Sequence, residues 1–112
     1  MAFSKKDRFT PEEVWLADVA KALSHPARIN ILKILSARDV CMCGEIVDLL
    51  PLSQSTVSQH LRELKRVGLI RGEIEGPKVC YCVDDQTLAR AKHALEALFT
   101  SVCHCEPERI EP

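Results

Sequence analysis

The stretch Leu52-Ser-Gln-Ser-Thr-Val-Ser-Gln-His-Leu-Arg-Glu-Leu-Lys-Arg-Val-Gly-Leu-Ile70 decides the fold. Val57, Leu61 and Leu64 recur at helical spacing and mark one face for burial. Ser53 stands where an N-cap is needed, so the helix is expected over 54–67. Gly68 ends it, because glycine adopts the left-handed C-terminal cap without a Cβ penalty. Gln54, Ser55, Thr56, Ser58, Gln59 and Arg62 gather near the N-terminal half, away from the apolar stripe. Serine, threonine and glutamine are only moderate helix formers, so helix stability does not call for them at that density. They suit a DNA major groove: glutamine pairs bidentately with adenine, arginine with guanine, and serine reaches phosphate or base edges. His60 lies beside the buried stripe and is expected to pack or hydrogen-bond rather than to read bases.

The flanks support the same reading. Upstream, 45–50 forms a short helix stopped by Pro51. Downstream, 69–74 and 78–83 are rich enough in β-formers for two strands, joined by the turn signal Glu75-Gly76-Pro77. Arg71 and Lys78 then sit on a hairpin positioned to meet the DNA backbone or minor groove. At the N-terminus, Thr10 caps a helix begun by Pro11, with Leu16, Val19, Ala20 and Leu23 on its apolar side. Pro26 starts a second helix. Asp84-Asp85 opens a last one, whose stripe of Leu88, Ala91, Leu95, Leu98, Phe99 and Val102 approaches a heptad seam. The expected fold is mainly α with a small β-hairpin wing, a winged helix-turn-helix in the order helix, helix, helix, helix, strand, strand, helix.

Bulk properties agree with one globular domain over 1–112, its core at 11–103 and a flexible acidic tail at 104–112. The chain has 112 residues, 46% hydrophobic and 28% charged, an ordinary globular balance. No apolar run approaches the roughly 18 residues that cross a bilayer, and residues 1–10 have no apolar signal core, so a cytoplasmic protein is expected. Net charge is −1, but it is unevenly placed: 54–78 carries five basic and three acidic residues, and 84–112 carries three basic and six acidic. A local basic face suffices for phosphate binding. A thiol enzyme would need more than cysteine and histidine. The chain has no Gly-rich phosphate loop and no Cys-x-x-Cys, and a non-enzyme is expected.

These motifs resemble the ArsR/SmtB family of metal-responsive repressors. Ser53-Gln-Ser-Thr-Val-Ser-Gln-His-Leu-Arg-Glu-Leu64, with Gly68-Leu-Ile, is similar to that family's recognition helix and the approach to its wing. Leu23-Ser-His-Pro-Ala-Arg-Ile-Asn-Ile-Leu32 is similar to its second-helix signature, and Val79-Cys-Tyr-Cys-Val83 to its second wing strand. The resemblance covers roughly 12–102. It implies a homodimer through the first and last helices, double-stranded DNA with an inverted-repeat operator as partner, and release when an inducer binds.

The six cysteines bear on the inducer. They form three Cys-x-Cys pairs, Cys41/Cys43, Cys80/Cys82 and Cys103/Cys105, and in a reducing compartment such pairs point to metal or redox chemistry. The zinc subgroup's ligand positions on the last helix fall here on Asp85, Thr87, Leu98 and Ser101, of which only the aspartate could bind, so that site is expected to be absent. The arsenic-responsive subgroup places Cys-x-Cys at the third helix, as Cys41 and Cys43 do, but its third cysteine falls on Ile46. The resemblance therefore implies As(III) or Sb(III) as inducer, with a third sulfur from elsewhere. In a helix, residues i and i+2 point about 200° apart, so one ion could bind both Cys41 and Cys43 only by unwinding that turn. On a strand they share a face, so Cys80 and Cys82 project together. In winged-helix folds the stretch before the third helix often pairs with the second wing strand, which would bring Cys41 or Cys43 near Cys80 or Cys82. Cys103 and Cys105 rank below them. A thiol redox or persulfide sensor, and a sensor of cadmium, lead, zinc or Cu(I), are the alternatives. For the persulfide type, Cys103 resembles a used position, but its second-helix partner falls near Ile34.

Overall fold

The computed structural model describes residues 8–38, 41, 42, 44–75 and 78–104. Its elements are α1 (Pro11–Ala22), α2 (Pro26–Ser36), α3 (Glu45–Asp48), α4 (Gln54–Arg66), β1 (Ile70–Glu75), β2 (Lys78–Val83) and α5 (Asp85–Val102). The order is that of a winged helix-turn-helix. The expected turn at Gly76-Pro77 and the tail from Cys105 lie outside the described residues.

Helix starts follow local chemistry. Thr10 and Glu13 form a reciprocal capping box at α1: the Thr10 hydroxyl accepts from the Glu13 N–H at 3.1 Å, and the Glu13 carboxylate accepts from the Thr10 N–H at 2.9 Å. Ser53 caps α4 by accepting from the Thr56 N–H at 3.3 Å. Asp84 caps α5 through the Thr87 N–H at 3.0 Å. At α2 the cap is a histidine: Nδ1 of His25 accepts from the Ala27 N–H at 3.0 Å. Gly68 follows α4 with φ at +85°, the left-handed conformation expected of it.

The core gathers around α4. Val57, Leu61 and Leu64 are buried against Ile31 and Leu35 of α2, Ile46 of α3, and Leu69 and Ile70 at the start of the wing. Each such side chain removed from water contributes about 1.5–3 kcal/mol. β1 and β2 form an antiparallel hairpin with Arg71 opposite Cys82 and Glu73 opposite Cys80. Arg71, Glu73, Cys80 and Cys82 therefore share one face. α5 returns to α1, where the Arg90 guanidinium lies 3.8 Å from the centre of the Trp15 ring and bonds Glu12 at 3.2 Å. The far end of α5 leaves apolar surface in water, with Leu98, Phe99 and Val102 all exposed.

Candidate functional site

Because its apolar stripe is fixed to the core, α4 presents a defined opposite face. Gln54, Ser55, Ser58, Gln59 and Arg62 are exposed on it, and Thr56 is half-buried. Two of the expected readers are partly occupied by the cap. The Ser53 hydroxyl lies 3.2 Å from that of Ser55 and donates to that of Thr56 at 2.9 Å. Gln54, Ser58, Gln59 and Arg62 are left as the more available group. On the wing, Arg71 is exposed and its Nε donates to Glu73 Oε1 at 3.1 Å. Lys78 opens β2 opposite Glu75.

His60, expected to pack or hydrogen-bond, sits in a polar cluster that braces the back of α4, and its partners are what the sequence did not name. His60 is 6% exposed, and its Nδ1 accepts from Arg28 Nε at 3.0 Å. The same guanidinium reaches the carbonyls of Lys21 and Ala22, each at 3.4 Å. Arg28 thus ties the end of α1 and the start of α2 to the reading helix. The His25 ring sits 4.4 Å from that of His60, centre to centre. Burial first, then the charges of His25 and Arg28, hold the His60 pKa below its usual 6.5. Its Nε2 has no hydrogen-bond partner among the described residues.

The second constellation lies where the chain approaches α3. Met42 and Tyr81 exchange both backbone hydrogen bonds: the Met42 N–H donates to the Tyr81 carbonyl at 2.8 Å, and the Tyr81 N–H donates to the Met42 carbonyl at 2.7 Å. This antiparallel bridge adds Met42 of the pre-α3 segment to the edge of β2. Cys41 and Cys82 meet beside it in a disulfide, with their Cα atoms 4.5 Å apart. Glu73 completes a group: one ligand atom from each of Cys41, Glu73 and Cys82 lies within 4.8 Å of the other two. Cys82 Sγ is 3.8 Å from Glu73 Oε1. Cys80 is buried on the same strand face, at 1% exposed.

This geometry changes one expectation. α3 begins at Glu45, so Cys41 lies outside its first turn, and the expected unwinding of that helix by an ion on Cys41 is not available to this geometry. The backbone at Met42 instead spends its hydrogen bonds on β2. Cys43 and Cys105, expected as candidate ligands, lie outside the described residues. Cys103 is exposed and forms the C-cap of α5, its N–H donating to the Phe99 carbonyl at 2.9 Å. It is not a member of the Cys41–Glu73–Cys82 group. Asp85, the survivor of the zinc positions, is the first residue of α5, and Asp84 rather than Asp85 caps the helix.

Comparison with known proteins places this arrangement. Residues 23–73 match the family model described as a helix-turn-helix domain. The chain is 36% identical over 84 residues to a cadmium resistance transcriptional regulatory protein CadC homolog of Staphylococcus aureus, covering 74% of this chain and 69% of the relative. It is 37% identical over 92 residues to the HTH-type transcriptional regulator CmtR of Mycobacterium tuberculosis, covering 82% and 77%. Among solved structures, an ArsR-like transcriptional regulator from Rhodococcus superposes with a TM-score of 0.70 at 25% identity, covering 82% of this chain and 86% of that one. No helix of the described residues is long and apolar enough to cross a membrane. The capped reading helix, the wing behind it and these relatives together make the chain a member of the ArsR/SmtB family of winged helix-turn-helix proteins, a DNA-binding transcriptional regulator and not an enzyme.

Proposed function

We propose that this protein is a homodimeric repressor that holds an inverted-repeat operator and releases it when a thiophilic ion binds the thiolates of Cys41 and Cys82. The carrying observation is the meeting of those two cysteines across the Met42–Tyr81 bridge. Thiolate, not thiol or disulfide, is the ligand form, so reduction precedes binding, and seating an ion between the two thiols releases two protons. An ion held by both sulfurs sets the spacing between the segment leading to α3 and the strand carrying the wing. α4 is connected to the first through α3 and packs on β1, the partner of the second. The ion therefore acts on the angle between reading helix and wing. As(III) or Sb(III) requires a third sulfur, and Cys43 or Cys80 is the source that reading needs. A soft divalent ion such as cadmium also accepts oxygen, and one relative is named for cadmium resistance.

DNA contacts are assigned to Gln54, Ser55, Thr56, Ser58, Gln59 and Arg62 in the major groove, and to Arg71 and Lys78 at the wing. Dimerisation through α1 and α5 would cover Leu98, Phe99 and Val102, and would set two reading helices about one DNA turn, roughly 34 Å, apart. The test is fluorescence anisotropy of the reduced protein on its upstream inverted repeat, titrated with arsenite and with Cd(II). Reversal of tight binding by either ion, lost in Cys41→Ser or Cys82→Ser, supports the reading. Reversal that survives both substitutions refutes it.

A second reading rests on the same contact. Cys41 and Cys82 are joined as a disulfide; a thiol reductant that supplies two electrons and two protons converts it to the dithiol, and a peroxide-type oxidant that takes them up restores it. A thiol redox sensor predicts that operator affinity follows the dithiol–disulfide state with no metal present.

A further inference from the structure

We infer that Glu73 is the third donor of the Cys41–Cys82 site, and that the site selects a soft divalent cation over trivalent arsenic. This rests on the proposed ion-responsive reading and names its ligand set. Among the described residues, Glu73 closes the cluster to three, with all ligand atoms within 4.8 Å of one another. The placement follows from the hairpin register. Glu73 faces Cys80 and Arg71 faces Cys82, so Glu73 is the diagonal neighbour of Cys82 on the same face, within reach of a long side chain. Its Oε1 already lies 3.8 Å from Cys82 Sγ.

The donor set decides the ion. Two thiolates and a carboxylate carry three negative charges and mix soft with hard donors. Cadmium, lead and zinc accept that mixture, whereas trivalent arsenic is thiophilic and is satisfied by three sulfurs. Arg71 supplies the outer layer: its Nε holds Glu73 Oε1 at 3.1 Å and orients the carboxylate toward the sulfurs, as partners of metal-bound carboxylates do. The carboxylate side chain is 45% exposed, so an ion would reach it from solvent.

The experiment uses the full chain, reduced and under nitrogen. Cd(II) is titrated against a competing chelator while the thiolate-to-cadmium charge-transfer band is followed, and arsenite is titrated in parallel. Glu73→Gln is expected to weaken cadmium binding by about tenfold or more, to leave the sulfur–cadmium band at full strength and to leave arsenite affinity unchanged. Glu73→Asp, which keeps an oxygen donor, is expected to recover part of the loss. Cys82→Ser is expected to weaken the band. Unchanged cadmium affinity in Glu73→Gln, with loss in Cys82→Ser, overturns the carboxylate and leaves the cysteine site standing. An equal loss for cadmium and arsenite in Glu73→Gln overturns the selection of divalent ions. No effect of Cys82→Ser on either ion overturns the cysteine site itself. A thermal melt of each variant separates these outcomes from unfolding.

Discussion

The reading helix and the seam at β2 are held in different ways. α4 has four buried positions, Val57, His60, Leu61 and Leu64, a serine cap at one end and a left-handed glycine just past the other. Among the described residues, the pre-α3 segment meets the wing through the Met42–Tyr81 backbone bridge and the Cys41–Cys82 pair. The first is a packed body that presents the same face whatever happens nearby. At the second, Met42 is buried in the core while Cys41 is only half-buried, so an ion or a bond at the sulfurs acts at the edge of the seam. Recognition is assigned to the element that is over-determined, and response to the one that is not.

Substitutions can break this contrast. Leu64 is 0% exposed, and Leu64→Ala is expected to lower stability by about 2–5 kcal/mol in urea denaturation. Glu73→Gln, at an ion pair whose side chains are 57% and 45% exposed, is expected to cost less than about 1 kcal/mol. Equal losses would erase the distinction. Arg62→Ala is expected to weaken specific operator binding by about 1–3 kcal/mol without altering the response to ions, read by anisotropy. Ser53→Ala removes the cap of α4 and is expected to cost about 1 kcal/mol, read from the thermal midpoint.

The smaller effects sharpen the contrast further. His60 is held below its usual 6.5 in the folded protein, so the unfolded chain binds the extra proton first. Its contribution to stability is complete above 6.5 and is lost as pH falls from there through the lowered folded value. The urea midpoint should decline over that window, and His60→Gln should flatten the decline. Arg71→Ala is expected to lower operator affinity similarly across sequences and to reduce the salt slope by about one unit. A change confined to one base position would make Arg71 a reader and not a backbone contact.

The fold was legible because its signals are local. Thr10, Ser53 and Asp84 each cap a helix within three residues, and Val57, Leu61 and Leu64 declare their face by spacing alone. The seam was legible only in outline. Three cysteine pairs announced sulfur chemistry, but which sulfurs meet depends on Met42 pairing with Tyr81, a contact between residues far apart in the chain. Glu73 was missed because it looks like one more charge on an exposed strand. Pairing Glu75 with Lys78 would have set Glu73 opposite Cys80, and that register was the available signal. Arg28 and His60 show the same limit. The histidine's burial could be read from the helical stripe, but its partner sits on another helix, and nothing in the local pattern names it.

Cys41 and Cys82 are separated by 41 residues, and between them lie α3, α4 and β1. A disulfide across the two sulfurs turns the segment that carries α4 into a closed covalent ring. A ring of that size loses chain entropy in the unfolded state, worth roughly 4 kcal/mol in the simplest loop-closure treatment. The disulfide-linked chain is then expected to be harder to unfold than the same chain reduced, both compared free of DNA.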